Sequence, residues 1–259
     1  VLDFFINHQI SDVIHLAAES HVDNSIENPL LFAETNILGT LNLLNAFKEY
    51  SSGRFVHVST DEVYGDLNIG DLPFDESVRY APNSPYAASK ASSDHFVHAY
   101  IKTYDIDAVI TNCSNNYGPH QHVEKLIPKV INSIFENNSI PVYGKGDNIR
   151  DWLYVKDHID AIDLIFHKGQ RSEKYNIGGN NEISNLELIH FICDLCMQKK
   201  HHLNPKSLIS FVPDRLGHDK RYAINYSKLR DHVGWEPKSN FKDALGNTID
   251  WYIEQFKTH

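Results

Sequence analysis

Apolar positions along this 259-residue chain follow two periods. Short apolar runs stand at Val13-Ile14-His15-Leu16-Ala17-Ala18, at Phe55 to Thr60 and at Ala108-Val109-Ile110-Thr111-Asn112-Cys113. Each has the length and composition of a strand buried on both faces. Between them the spacing turns helical: Ile37, Leu38, Leu41, Leu44 and Phe47 fall on one face of a helix predicted from Pro29 to Tyr50. A second helix is predicted to start at Ser84-Pro85, an N-cap followed by a first-turn proline, and to run towards Tyr100. Val1 to His8 reads as the end of a helix feeding the strand at 13. Strands alternating with long helices predict βαβ units and a doubly wound parallel α/β sheet.

The texture changes after Gly118-Pro119. The pattern predicts a helix from Glu124 to Glu136, a strand at Pro141-Val142-Tyr143, a loop marked by Gly144 and Gly146, and the run Arg150 to Val155. A helix from Asp157 to His167, a strand ending at Gly178-Gly179 and a helix from Asn185 to Met197 follow. Residues 1–118 are therefore read as part of a Rossmann-type domain, with 150–179 returning to it, and 119–259 as a smaller mixed α/β domain. A Rossmann-type sheet opens on a strand and a glycine-rich turn that receives a pyrophosphate, yet no G-x-G-x-x-G occurs in this sequence. Either the fold is another one or its first βαβ half is missing. In the second case the strand at 13–18 is expected to be an open edge, and residues 1–259 alone to bind a dinucleotide poorly, to aggregate and to be inactive.

Composition narrows the classes. The formal charge of −10, from 24 basic and 34 acidic residues, argues against a nucleic-acid-binding surface while leaving room for a local basic pocket. There is no apolar run of the ~18 residues a membrane span needs and no charged-then-apolar leader, so no membrane partner is expected and the cytoplasm is the default. Cys113, Cys193 and Cys196 are too few for a disulfide framework. Cys193-Asp194-Leu195-Cys196, followed by His201 and His202, imitates a metal or redox motif, but it lies in the helical pattern Leu188-Ile189-Phe191-Ile192-Leu195 and has no second C-x-x-C. These are read as core thiols, with no metal expected.

Candidate chemistry gathers at two places. Ser59-Thr60-Asp61-Glu62 ends the second strand with a hydroxyl and two adjacent carboxylates. Ordinarily an acidic pair is a solvated turn; held over one substrate it is an acid and a base whose repulsion separates their pKa values. Adjacent residues of a strand point to opposite sides, so a shared task requires the strand to break there. Tyr86-Ala87-Ala88-Ser89-Lys90 sets a phenol and an ammonium one helical turn apart, where the lysine is expected to lower the tyrosine pKa towards that of a general base. The spacing alone is weak, and its place between two strands gives it weight.

In chain order the segments HLAAESHVDNSI, ETNILGTLNLL, HVSTDEVYGD, SPYAASKASSDH, TNCSNNYGP, EKLIP, PVYGKGDNIRDWLYVKDH, YNIGGNNE and DRLGHDKRYAIN resemble the dTDP-glucose 4,6-dehydratases of the extended short-chain dehydrogenase/reductase group, over residues 12 to 255. The resemblance implies bound NAD, a nucleoside-diphosphate glucose substrate, hydride transfer from C4, loss of water across C5 and C6, and hydride return to C6. It implies Tyr86 as base for the C4 hydroxyl, aided by Lys90 and Thr60, with Glu62 as C5 base and Asp61 as acid for the C6 hydroxyl. Leu16, Ala17, Ala18, Glu19, Ser20, Thr35, Tyr86, Lys90 and Asn116 resemble the cofactor contacts. Ser20, Thr60, Asn115, Lys125, Leu126, Pro141, Val142, Tyr143, Arg150 and Asn185 resemble the nucleotide-sugar site, together with Asp214, Arg215, Leu216, Gly217 and His218.

An arginine fork suits a diphosphate, although Arg150 also has Asp147 and Asp151 nearby in sequence, and Asn185 is equally suited to cap its helix. The glycine-rich turn and the acidic residue for the adenosine ribose are absent, and Val123 and Leu216 stand where the family has proline. The group's 4-epimerases lack the Asp-Glu pair, which separates them from this reading. The alternatives are a UDP-sugar 4,6-dehydratase or 4-epimerase, or a cofactor-free, non-catalytic chain. Dimers of the group pair through the helices corresponding to 29–50 and 86–103, so a homodimer is expected.

Overall fold

The computed structural model describes residues 1–199 and 203–257. The chain runs α1 (Leu2–His8), β1 (Val13–His15), α2 (Val22–Glu27), α3 (Pro29–Phe32), a π-helical turn (Ala33–Leu38), α4 (Gly39–Tyr50), β2 (Phe55–Thr60), a 3₁₀ turn (Asp61–Tyr64), α5 (Pro85–Tyr104), β3 (Ala108–Cys113) and β4 (Asn115–Tyr117). It continues through α6 (Leu126–Phe135), β5 (Ile140–Tyr143), β6 (Ile149–Tyr154), α7 (Val155–Lys168), β7 (Lys174–Ile177), β8 (Glu182–Ser184), α8 (Asn185–Gln198), a 3₁₀ turn (Pro205–Leu208), β9 (Ile209–Val212), α9 (Ser227–Val233) and α10 (Phe241–Lys257).

The main sheet has the order β1-β2-β3-β7, all parallel, as the βαβ reading requires. Alternate residues of β2 serve opposite faces: Phe55 packs with Phe5, Leu44, Phe47, Val97 and Ile101 from α1, α4 and α5, whereas Val56 packs with Ala161, Ile162 and Leu229 from α7 and α9. A smaller sheet, β4-β6-β8, and the pair β5-β9 form the second region. Its core joins Ile131 of α6, Trp152 of β6, Ile189 and Cys193 of α8 and Ile249 of α10. Cys196 is buried beside Cys193 in that core, and both thiols are pushed up by burial, to about 11 for Cys193 and about 12 for Cys196; His201 and His202 lie outside the described residues. Among the described residues no helix is long and apolar enough to cross a membrane.

Three predicted elements differ from the structure. The strand expected at 13–18 ends at His15 and bonds only β2 among the described residues; its other side is open, with Ile14 43% and Leu16 50% exposed. The helix expected over 29–50 is interrupted by the π-helical turn, whose extra residue rotates the face so that Asn36 is buried and Leu38 is 53% exposed. At α8 the cap is Ser184, whose hydroxyl accepts from the Glu187 N–H while the Glu187 carboxylate accepts from the Ser184 N–H; Asn185 is thereby freed for another role.

Candidate active site

The strand β2 does break where the acids require it. Thr60 caps the 3₁₀ turn, its hydroxyl accepting from the Glu62 N–H at 3.3 Å, so Asp61 and Glu62 leave the pleat and turn together. Asp61 is 2% exposed, and its Oδ2 has no hydrogen-bond partner among the described residues. Burial raises its carboxyl well above the usual carboxylate range, and the charges of Glu62 and Asp151 add to the rise. Glu62 is half-buried on the cleft wall; burial raises it, while Arg150, Arg215 and Lys125 pull it back down. Both carboxyls are therefore raised, Asp61 the further; Arg150 opposes the rise in each, and Glu62 also has Arg215 and Lys125 beside it. The larger rise suits Asp61 to hold a proton and leaves Glu62 the better base.

On α5 the Ser84 hydroxyl accepts from the Ala87 N–H at 3.1 Å and Pro85 opens the helix, which sets Tyr86 and Lys90 one turn apart against the ends of β2 and β3. Both are buried. The Tyr86 phenol does not show the lowered pKa expected from its lysine. Burial raises it well above its ordinary value, with Glu62 and Cys113 adding and a Thr60 side-chain hydrogen bond opposing. Burial outweighs the helical spacing to Lys90, whose Nζ donates at 2.8 Å to the Val58 carbonyl and is anchored to the strand.

Beyond β1 the chain leaves the sheet as the open loop Leu16-Ala17-Ala18-Glu19-Ser20. Asn36, carried inward by the π-helical turn, accepts from the Glu19 N–H at 2.9 Å and donates to the Glu19 carbonyl at 3.0 Å and to the Ser89 hydroxyl at 2.8 Å. Loop and α5 are thereby fixed to each other. Thr35 is half-buried in the same turn. Asn116 is less free than its expected contact with a cofactor requires: its amide donates to the Ser114 carbonyl at 3.0 Å and its Oδ1 pairs with His158 Nδ1 at 2.8 Å.

Next to Glu62 opens a cleft of about 200 Å³. Ser20, Asn115, Lys125, Leu126, Pro141, Val142 and Tyr143 line it, as do Arg150, Asn185, Arg215 and His218, bringing together segments from 20 to 218. Thr60, Asp61, Tyr86 and Lys90 stand behind Glu62 and do not line it. Asp214 lies outside the wall and holds His218 Nδ1 at 2.7 Å; Leu216 is 78% exposed, and Gly217 supplies the positive φ of 61° that turns the loop. These three shape the wall and do not form it.

Arg150 is 5% exposed, stacks over Tyr222 at 4.3 Å, and donates to the carbonyls of Ile149 and Asp219 at 2.7 and 2.9 Å. Neither nearby aspartate pairs with it: Asp147 binds Lys220, and Asp151 accepts from the Gly179 and Asn181 N–H groups, both at 2.7 Å. A buried guanidinium without a carboxylate partner among the described residues fits an anionic ligand.

A family model described as GDP-mannose 4,6 dehydratase matches residues 1–248. The chain belongs to that family. A dTDP-glucose 4,6-dehydratase of Escherichia coli (strain K12) is 48% identical over 271 residues, covering 98% of this chain and 75% of the relative. The dTDP-glucose 4,6-dehydratase of Xanthomonas campestris pv. campestris is 49% identical over 258 residues, covering 95% of this chain and 73% of its own. Among solved structures, a dTDP-glucose 4,6-dehydratase double mutant from Streptomyces venezuelae with NAD and DAU bound superposes with a TM-score of 0.94 at 40% identity, over 100% of this chain and 78% of that one. A UDP-glucose 4-epimerase from Thermotoga maritima with UDP-glucose reaches 0.89 at 26% identity, over 98% of this chain and 81% of its own.

Several cleft residues of this family member are not legible in sequence. Asp23, at the start of α2, accepts from the Tyr143 hydroxyl at 3.4 Å and lies 3.7 Å from Arg215. His21, Val22, Glu124, Lys129, Trp152 and Ile189 join the wall through packing between distant segments, which no local spacing announces. Tyr222 has one signal, an aromatic ring near the end of DRLGHDKRYAIN, but its pairing with Arg150 is tertiary.

Proposed function

We propose that this chain dehydrates dTDP-glucose to its 4-keto-6-deoxy sugar with NAD as hydride carrier, as a hydro-lyase. The observation that carries the reading is the acid pair at the break of β2, with Asp61 buried near Asp151 and Glu62 beside Arg215 and Lys125, above a buried tyrosine and lysine. The residues present fit a nicotinamide nucleotide. Lys90 uses one of its three N–H groups on Val58, leaving two donors on its ammonium, and Asn36 ties the open 16–20 loop to Ser89, the residue before Lys90 on α5. Leu16 to Ser20, Thr35, Tyr86, Lys90 and Asn116 are the residues assigned to hold it.

When bound, NAD would supply the acceptor for the C4 hydride and the donor of hydride to C6. Tyr86 takes the C4 hydroxyl proton, with the Thr60 hydroxyl as its hydrogen-bond partner. The 4-ketone acidifies C5, so Glu62 removes the C5 proton. The electrons of that bond form the C5–C6 double bond while Asp61 protonates the C6 hydroxyl, which leaves as water. A proton then restores C5. Arg150, Lys125 and Arg215 hold the diphosphate, and Asn115, Asn185 and the edge Pro141-Val142-Tyr143 seat the nucleoside and sugar.

Residues 1–118 with 150–179 form the cofactor domain in this reading, and 119–259 the substrate domain; α7 and β7 on the main sheet support the return, whereas β4 and β6 pair in the smaller sheet and α9 packs on the main one. The protein works as a cytoplasmic homodimer. Exposed apolar residues on the paired helices, among them Leu30, Leu38, Phe96 and Tyr104, support the contact. The experiment is an isotope trace: dTDP-glucose carrying deuterium at C4 is expected to give product with the label at C6. A label retained at C4 of an epimerised sugar overturns the reading.

A further inference from the structure

One buried charge close to the catalytic pair has no part in the dehydration steps. Asp94 lies one helical turn beyond Lys90 on α5, 1% exposed. Its Oδ1 stands 3.2 Å from His57 Nε2 on β2, and its Oδ2 accepts from the Tyr80 hydroxyl at 2.9 Å and from Asn112 Nδ2 at 3.3 Å. The strand that supplies His57 supplies, at the next residue, the Val58 carbonyl that anchors Lys90. Lys90 and Asp94 are therefore fixed at two points of the same strand segment.

We infer that Asp94 is a positioning residue for the reaction: its carboxylate, held by Tyr80 and Asn112 and set one helical turn from Lys90, is the counter-charge that keeps the buried Lys90 an ammonium one turn from Tyr86. An ammonium 4% exposed is disfavoured by desolvation, and a neutral Lys90 no longer places a positive charge one helical turn from Tyr86. The groups that face the pair single out Asp94. His15 on β1 is held neutral by burial, its pKa pushed down to about 3; His57 is lowered by burial and by the Lys90 charge; the Cys113 thiol on β3 is pushed up to about 12. Tyr64 and Tyr80 are raised by burial, and so are neutral phenols. Lys174 on β7 and Glu76 face Asp94 from its outer side, in the wall of a second cleft. Burial pushes Lys90 down and Asp94 opposes that push, while Asp94 itself stays ionised because His57 and Lys90 outweigh its burial.

The inference rests on the dehydratase reading, and the test separates the two. In the full-length protein, Asp94→Asn is expected to leave the KM for dTDP-glucose within about two-fold. It should move the alkaline limb of the kcat–pH profile down by ~1 unit or more, with Asp94→Glu restoring it. Independently, ¹³Cε-labelled lysine, with the Lys90 signal assigned by its loss in Lys90→Gln, is expected to report an ammonium through pH 8 in the parent and an earlier loss of charge in Asp94→Asn. A profile superimposable on the parent's with only a lowered melting temperature overturns the inference, as does a parent Lys90 already neutral at pH 7. If the asparagine variant fails to fold, the parent titration still decides. If the parent converts no dTDP-glucose, the functional reading fails while the lysine titration of both proteins stands.

Discussion

Asp61 and Glu62 share a peptide bond, yet their surroundings divide the labour between them. Asp61 is buried beside Asp151 and Glu62, whereas Glu62 meets Arg150, Arg215 and Lys125. Such a pair serves chemistry at the expense of stability, since both folded carboxyls hold protons more tightly than in the unfolded chain. Glu62→Gln is therefore expected to cut turnover by ~10²-fold or more and at the same time to stabilise the protein by ~0.5–2 kcal/mol. Turnover assays with thermal melts at pH 8 check both halves; a variant of normal activity removes Glu62 as the C5 base. Arg150 is the complementary case, a buried cation whose partner is the ligand. Arg150→Ala should weaken dTDP binding by ~2–5 kcal/mol in calorimetric titration, because the diphosphate then lies in the cleft without its fork. An unchanged dissociation constant would take Arg150 out of the site.

At the scale of elements, the glycine pair in YNIGGNNE shows how closely the two regions are joined. A Cβ on Gly179 would meet the Trp152 carbonyl oxygen at 2.1 Å, while the Gly179 N–H donates to the Asp151 carboxylate that neighbours Asp61. Gly179→Ala is expected to cost roughly 1–3 kcal/mol, read as a lowered urea midpoint, and to reduce activity with it. A midpoint equal to the parent's would mean that β6 can move aside. The same scale shows what the sequence announces. β2, β3 and the start of α5 stand at their expected residues, because a doubly buried strand is one continuous apolar run and Ser84-Pro85 is a local signal. The order of segments likewise places most of the cleft wall. The shortened β1 and the π-helical turn are not legible: the first depends on which edge is paired, the second on Asn36 reaching Glu19 and Ser89. The direction of the Tyr86 shift escapes the sequence for a kindred reason, since the spacing Tyr86–Lys90 is local but the burial that raises the phenol is tertiary.

Across the whole molecule, buried ionisable groups set opposing responses to acid. His15, His57 and His158 are all buried; burial lowers each, to about 3 for His15 and about 4 for His158. A histidine with a depressed folded pKa stays neutral in the native state while the unfolded chain takes a proton below about pH 6.5, so its stability contribution is present above that pH and is lost on acidification. Each such group costs ~1.4 kcal/mol per pH unit between its unfolded and folded values. Asp61, Glu62 and Asp151 act in the opposite sense: their raised pKa values let the native state hold protons that the unfolded chain has released, so acid favours folding as they protonate. Melting temperature is therefore expected to fall between pH 6.5 and 4.5, and to fall more steeply in an Asp61→Asn/Glu62→Gln variant, which lacks part of the compensating arm. His158→Gln isolates the other arm. His158 Nδ1 lies 2.8 Å from Asn116 Oδ1, a contact that a side-chain amide can imitate without titrating. That variant should recover ~2–3 kcal/mol of the loss by pH 4.5, a gain of several degrees in melting temperature. Melts of the parent and both variants at half-unit pH steps decide it. A histidine variant that loses as much stability as the parent would mean that His158 takes up its proton in place, within the folded protein.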